Sequence, residues 1–238
     1  MRLTLVIPCY NEAASLPALV ARCAELTAAE PVIDVILVDN GSNDDSPAVL
    51  AHELAGRDRL SSVRVPVNQG YGFGILSGLR AATGEIIGWT HADLQTDVMD
   101  VLTGLALFCD DAAPAKLFVK GARHGRPLGD TVFTFGMSVF ETILFGRRLT
   151  DVNAQPTLFH RDFFAAWANP PHDFALDTYA FALARYDGLK VARFPVLFTD
   201  RLHGQSHWNI NWRAKLKFIK RTLDFSFRLR RDLASGAH

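Results

Sequence analysis

Residues 84–96 read GEIIGWTHADLQT, an isoleucine-rich apolar run that stops at His91-Ala92-Asp93-Leu94-Gln95. Ile86 to Trp89 predict a short buried strand, because an apolar run bounded by glycine and polar residues fits a parallel sheet covered on both faces. Ligands of open α/β sheets bind beyond the carboxyl ends of the strands, which is where Asp93 and Gln95 emerge. Oxygen donors two residues apart suit Mg²⁺ or Mn²⁺, hard ions that take few protein oxygens and complete their shell with water and phosphate. Taken alone, the stretch reads more readily as a strand followed by an acidic turn.

The flanking chain repeats the pattern. Leu3 to Ile7 predict a first strand with Pro8-Cys9-Tyr10-Asn11-Glu12 at its end, where Asn11 can cap the next helix. Leu16, Leu19, Val20, Cys23 and Leu26 form the apolar stripe of that helix. Ile33 to Val38 predict a second strand running into Asp39-Asn40-Gly41-Ser42, and Ser46-Pro47 marks the next helix start. Val63 to Val67 predict a third strand, followed by a glycine loop, Asn68 to Gly74, that opens a helix carrying Ile75, Leu76 and Leu79. These glycines do not follow the first strand in the G-x-G-x-x-G order of a dinucleotide site, which argues against an NAD enzyme. They predict instead a helix start lying close to the sheet or to a phosphate.

Four strands alternating with three helices predict an α/β fold with three layers and a mostly parallel central sheet. Further on, Leu117 to Lys120, Gln155 to His160 and Lys190 to Phe198 predict strands, the last at an edge or bulge because of Pro195. Phe133 to Phe145 predict a very apolar helix, in the core or facing a membrane, and Leu176 to Tyr186 another helix.

The bulk composition limits the alternatives. In 238 residues, 25 basic residues balance 25 acidic ones, so no overall field draws the protein to nucleic acid. Cys9, Cys23 and Cys109 are widely spaced, without a metal-ligand pattern, and fit a reducing compartment; a cytoplasmic location is expected. No membrane crossing is predicted. Residues 208–231 carry eight Lys or Arg against one Asp. Trp212, Leu216, Ile219, Leu223 and Phe227 recur there at helical spacing, which predicts a basic amphipathic helix lying on an anionic membrane surface or covering the sheet.

Read together, VIPCYNE, VDNGSNDDS, NQGYGFGILSGLRAATGEIIGWTHADLQ, GAR and FPVLFTDRLHGQSHW resemble the family 2 glycosyltransferases of GT-A fold, especially the polyprenyl-phosphate sugar transferases. The resemblance covers residues 3 to 207, which gives a transferase domain over 1–207 and a basic helix and tail over 208–238. It implies that Pro8, Tyr10, Glu12, Asp39 and Asn40 surround the base and ribose of a nucleotide-diphosphate sugar. His91 and Ala92 then join the donor site, Asp93 and Gln95 hold Mg²⁺ or Mn²⁺, and Arg123, Arg201 and Ser206 contact phosphate. Asp93 and Arg201 are the catalytic residues it implies, with Asp177 as candidate base for a hydroxyl acceptor. The acceptor it implies is a lipid phosphate or a lipid-linked glycan.

The chain departs from the family pattern at two places. His91 stands where the first aspartate of D-x-D is usual; it offers a ring nitrogen but no fixed negative charge. His207 replaces the lysine that follows G-x-S, and only Ser138 could match the serine that grips a lipid phosphate. A catalytically silent nucleotide-sugar binder is the alternative these departures raise. A nucleotidyltransferase is disfavoured because its glycine-rich, lysine-bearing first loop is missing.

Overall fold

The computed structural model of the chain describes residues 1–125, 128–199 and 212–235. Seven strands form one sheet: β1 (Leu3–Cys9), β2 (Ile33–Asn40), β3 (Leu60–Val65), β4 (Ile86–Trp89), β5 (Leu117–His124), β6 (Thr157–His160) and β7 (Lys190–Leu197). Their order is β3-β2-β1-β4-β6-β5-β7. Neighbours run parallel except where β6 pairs antiparallel with β4 and with β5. The mostly parallel sheet is as expected; the reversed β6 between β4 and β5 is not, because a short apolar run carries no mark of strand direction.

Strand alternation divides the core. Leu3, Leu5, Ile7 and Cys9 of β1 face one layer, where they meet helices α1 (Leu16–Ala29), α2 (Ser46–Glu53) and α4 (Asp100–Cys109). Val6, with Ile36 and Val38 of β2, faces the other layer, built from α3 (Tyr71–Ala81), α6 (Arg161–Ala165) and α7 (Ala175–Tyr186). Helix α8 (Trp212–Ser235) joins that layer by burying Leu229 and Leu233. The helix α5 (Leu128–Phe145) connects β5 to β6.

Several boundaries shift from those expected. The third strand is Leu60–Val65 rather than 63–67, and α5 begins at Leu128, five residues early. Asn11 does not cap α1. Its φ of 55° places it in the left-handed region, and its Oδ1 accepts from Asn43 N (3.0 Å), so it ties the first loop to the second. The cap position belongs to Ser15. Ser46 is the first residue of α2 instead of its cap, and Asp44 accepts from its N–H (3.0 Å). Pro195 does lie on an edge strand, since among the described residues β7 pairs only with β5.

The glycines of α3 bring that helix onto the sheet. A Cβ at Gly78 would lie 2.3 Å from Val6 Cγ1, and one at Gly74 2.9 Å from Asn40 Cγ. Among the described residues no helix is long and apolar enough to cross a membrane.

Candidate active site

The candidate residues gather at the carboxyl ends of β1, β2, β4 and β5, the edge from which ligand loops of a parallel sheet emerge. The first two loops are stitched together. Asn11 N donates to Ser42 Oγ (3.1 Å), Glu12 N donates to Ser46 Oγ (2.9 Å), and Ser15 Oγ donates to the Glu12 carboxylate (2.6 Å). Pro8 continues β1 opposite Val38, and Tyr10 is exposed at the rim.

Asp39 closes the floor of this region. It is 2% exposed, and its Oδ1 accepts from Ser42 N (2.9 Å). Its Oδ2 has no hydrogen-bond partner among the described residues, with Arg64 Nε 3.5 Å away. Leaving a buried carboxylate oxygen unbonded costs ~1–3 kcal/mol, so such an atom marks where a ligand N–H or O–H would be welcome. Asn40 donates to Gly70 O (3.0 Å), and its buried Oδ1 is likewise without a partner.

The loop leaving β4 is held from both sides. Asp93 Oδ1 accepts from Gln95 N (3.2 Å), and Leu94 takes a φ of 55°. Gln95 Nε2 donates to Thr199 O (3.1 Å), while Gln95 O accepts from Thr199 N (2.8 Å). His91 Nδ1 lies 3.3 Å from Tyr71 Oη, and the Tyr71 ring stacks on Phe174 with centroids 4.6 Å apart. Burial lowers the His91 pKa, an effect opposed by the Asp93 and Asp177 carboxylates. Burial, then the same two carboxylates, raises the Tyr71 phenol well above its usual value. His91, Asp93 and Asp177 therefore share one electrostatic environment. Ala92 points its side chain into the core and can offer a ligand only its backbone.

Arg123, next to last in β5, is chelated by Asp151. Its Nε donates to Asp151 Oδ1 (2.9 Å) and its backbone N–H to Oδ2 (2.9 Å), with the guanidinium over the Phe198 ring at 5.3 Å. The fork is thereby fixed in direction. Asp151 N donates to Ser138 Oγ (3.0 Å), which places Ser138 beside Arg123. Both border a cavity of about 60 Å³ that also takes in Glu141, Asn153 and Thr178.

Sequence reasoning missed the buried group beneath. Lys120 is fully buried, donates to Thr157 Oγ1 (2.6 Å) and lies 3.7 Å from Asp177 Oδ1, which also accepts from Gln155 Nε2 (2.6 Å). Burial pulls the Lys120 pKa down to about 8 against the pull of Asp177. The signal was a lysine inside the apolar run LFVKG. Glu141 is the other omission, 3% exposed, within 3.5 Å of Thr178 Oγ1 and pushed up to about 7 by burial. Arg201, Ser206 and His207 lie outside the described residues.

The donor set fits a hard divalent ion. Among the described residues no group of three or more His, Cys, Asp or Glu could hold a metal. A carboxylate and an amide on one loop are the minority of ligands that Mg²⁺ or Mn²⁺ takes when a diphosphate and water supply the rest.

Residues 4–167 match the family model described as Glycosyl transferase family 2. This chain belongs to glycosyl transferase family 2. Among curated proteins it is similar to an undecaprenyl-phosphate 4-deoxy-4-formamido-L-arabinose transferase of Sodalis glossinidius (strain morsitans), 41% identical over 100 residues, covering 40% of this chain and 29% of that protein. A protein of the same name from Pseudomonas aeruginosa (strain LESB58) is 42% identical over 98 residues, 39% of this chain and 28% of that protein. The match thus spans under a third of the length of these family 2 relatives.

Solved structures give the fold. A mannosyltransferase of Pyrobaculum calidifontis, in complex with GDP-Man and Mn²⁺, superposes with a TM-score of 0.66 at 18% identity, covering 99% of this chain and 74% of that one. The glucosyl-3-phosphoglycerate synthase of Mycobacterium tuberculosis, in complex with UDP, gives 0.73 at 16% identity, covering 96% and 80%. The family 2 chain described here has the GT-A fold.

Proposed function

We propose that the chain is a metal-dependent, inverting glycosyltransferase that moves a sugar from a nucleotide-diphosphate sugar to a lipid phosphate or lipid-linked glycan. The transferase domain is 1–207, and residues 208–238 are its basic helix and tail. The observation that carries this reading is the joint placement of Asp93 with His91, Asp177 and Arg123 beside the strand end where Asp39 offers a buried, unbonded oxygen. The names of the relatives, which act on undecaprenyl phosphate, support the lipid acceptor, and solved neighbours in complex with Mn²⁺ support the cation.

In this reading Asp39 and Asn40 take hydrogen bonds from the base and ribose, with Pro8, Tyr10 and Glu12 walling that side. Asp93 and Gln95 would hold a divalent ion, which when bound supplies positive charge against the leaving diphosphate. His91, oriented by Tyr71, donates or accepts at the donor's polar rim. Arg123, whose Nε and Nη2 are held by Asp151, offers its remaining Nη1 and its charge to phosphate, and Arg201 and Ser206 are assigned the same task. The acceptor oxygen forms the new bond to the anomeric carbon as the bond to the diphosphate oxygen breaks, and the electron pair leaves with the nucleoside diphosphate. An ionised phosphate acceptor needs no base, and it suits this site better than a hydroxyl, because Asp177, the candidate base, is buried against Lys120 and Gln155. The site works at the cytoplasmic face of a membrane, which the chain meets peripherally through 208–231.

Incubating the parent protein and Asp93→Ala with UDP, GDP, CDP and dTDP sugars, Mn²⁺ and undecaprenyl phosphate tests the reading. Lipid-linked sugar formed by the parent and lost in the variant is expected. Nucleotide-sugar binding without turnover by the parent would instead make it a binding protein, the reading that His91 in place of an aspartate raises.

A further inference from the structure

Helix α5 is inside out. Val132, Phe135, Val139 and Ile143 fall on one stripe and face outward, with Phe135 69% and Ile143 76% exposed. The opposite side carries Thr134, Ser138 and Glu141, which border the cavity beside Arg123. A surface helix normally buries its apolar stripe and shows water its polar side. Here the polar side is used by the site, and the apolar side is left for something else to cover.

The stripe does not stand alone. Phe227 of α8 is 53% exposed and meets Phe140 of α5 edge-on at 5.9 Å, extending the apolar face across two helices. The other exposed large apolar side chains among the described residues come from scattered elements rather than from one stripe. Five such side chains expose on the order of 500 Å², at the upper end of what a monomer shows and below the ~800 Å² per partner of a standard protein interface. Cations rim the face: exposed Arg147 and Arg148 follow α5, and Lys220, Arg230 and Arg231 project from α8 against the acidic Asp224 and Asp232. Arg230 Nε donates to Leu144 O (3.0 Å), which fixes α8 to the last turn of α5.

We infer that the apolar stripe of α5, with Phe227, is a docking surface for an anionic lipid bilayer, inserted to the depth of the headgroups while the rimming arginines and lysine meet lipid phosphates. An apolar stripe bordered by cations is the arrangement that holds a helix in a membrane interface. A second copy fits worse, because an isologous pairing would set one cationic rim against another. The inference deepens the lipid-acceptor reading by giving the membrane contact to α5, whose polar side borders the cavity next to Arg123.

Flotation of the full chain with phosphatidylcholine vesicles, with and without phosphatidylglycerol, tests it. Binding should require phosphatidylglycerol. Phe135→Ser combined with Ile143→Ser should weaken it about tenfold or more, since two apolar side chains no longer enter the bilayer. Lys220→Gln with Arg231→Gln should reduce the gain from phosphatidylglycerol. The substituted side chains point to solvent, and an unchanged melting temperature checks that the fold is kept. Flotation of the serine pair equal to the parent's, or no flotation of the parent, would overturn the inference. A dimer in light scattering that the serine pair dissociates, without vesicle binding, would assign the face to a second copy. Flotation uses no sugar donor, so docking without turnover would sink the lipid-acceptor reading alone, and turnover without docking this inference alone.

Discussion

Lys120 Nζ lies 3.7 Å from Asp177 Oδ1, and both side chains are sealed from solvent behind the candidate active site. A buried pair is not strong evidence of stability in itself, but removing one member leaves the other charge stranded. Asp177→Asn should therefore lower unfolding free energy by about 3 kcal/mol in urea denaturation. Lys120→Met should cost a similar amount, and the double variant less than the sum, because the two residues are coupled.

Glu141 gives a pH signature. Its folded pKa is raised to about 7 from an ordinary 4.5, so the unfolded chain loses this proton first. Between those values the folded state holds more proton than the unfolded one, and stability falls as pH rises from about 4.5 to 7. The change amounts to roughly 3 kcal/mol at most. Thermal unfolding of parent and Glu141→Gln across that range should give curves that diverge with rising pH, the parent dropping relative to the variant.

Gly78 lies where α3 touches the sheet. Alanine there gains up to ~1 kcal/mol of helix propensity. Its Cβ would sit 2.3 Å from Val6 Cγ1 and 2.8 Å from Val38 Cγ2, on two central strands that cannot move apart. Overpacking of ~1–3 kcal/mol wins. Gly78→Ala should lower the melting temperature, and Val6→Ala in the same chain should restore part of the loss.

The loops were legible in the sequence because strand-end chemistry is local: VDN, HADLQ and GAR each announce a carboxyl end within a few residues. What was not legible depends on pairing over distance. β6 reverses direction, yet its four residues read the same either way. Lys120 and Asp177 meet across 57 positions, and nothing near either residue names its partner. The apolar content of α5 was plain from composition, but its orientation was not, since only the polar cavity beneath explains why Ser138 and Glu141 face inward. In α8 the expected stripe is only half-buried at Ile219 and Leu223 and exposed at Phe227, while Leu229 and Leu233 make the core contact.

Arg123 is held by Asp151 through both its backbone N–H and its guanidinium. A lysine keeps the charge but loses the planar fork. Arg123→Lys should reduce kcat/KM by about tenfold to a hundredfold, with the melting temperature lowered slightly. Steady-state kinetics alongside thermal unfolding separates loss of phosphate recognition from loss of fold.

The central claim is that Asp93 seats a cation against a nucleoside diphosphate. Isothermal titration of UDP and of GDP into the parent and into Asp93→Ala, each with and without Mn²⁺, measures it without turnover. The account predicts that Mn²⁺ tightens binding of one of the two nucleotides by about tenfold or more in the parent, and that the variant loses this gain. Equal affinity with and without Mn²⁺ in the parent, or a Mn²⁺ gain that survives in Asp93→Ala, would contradict it.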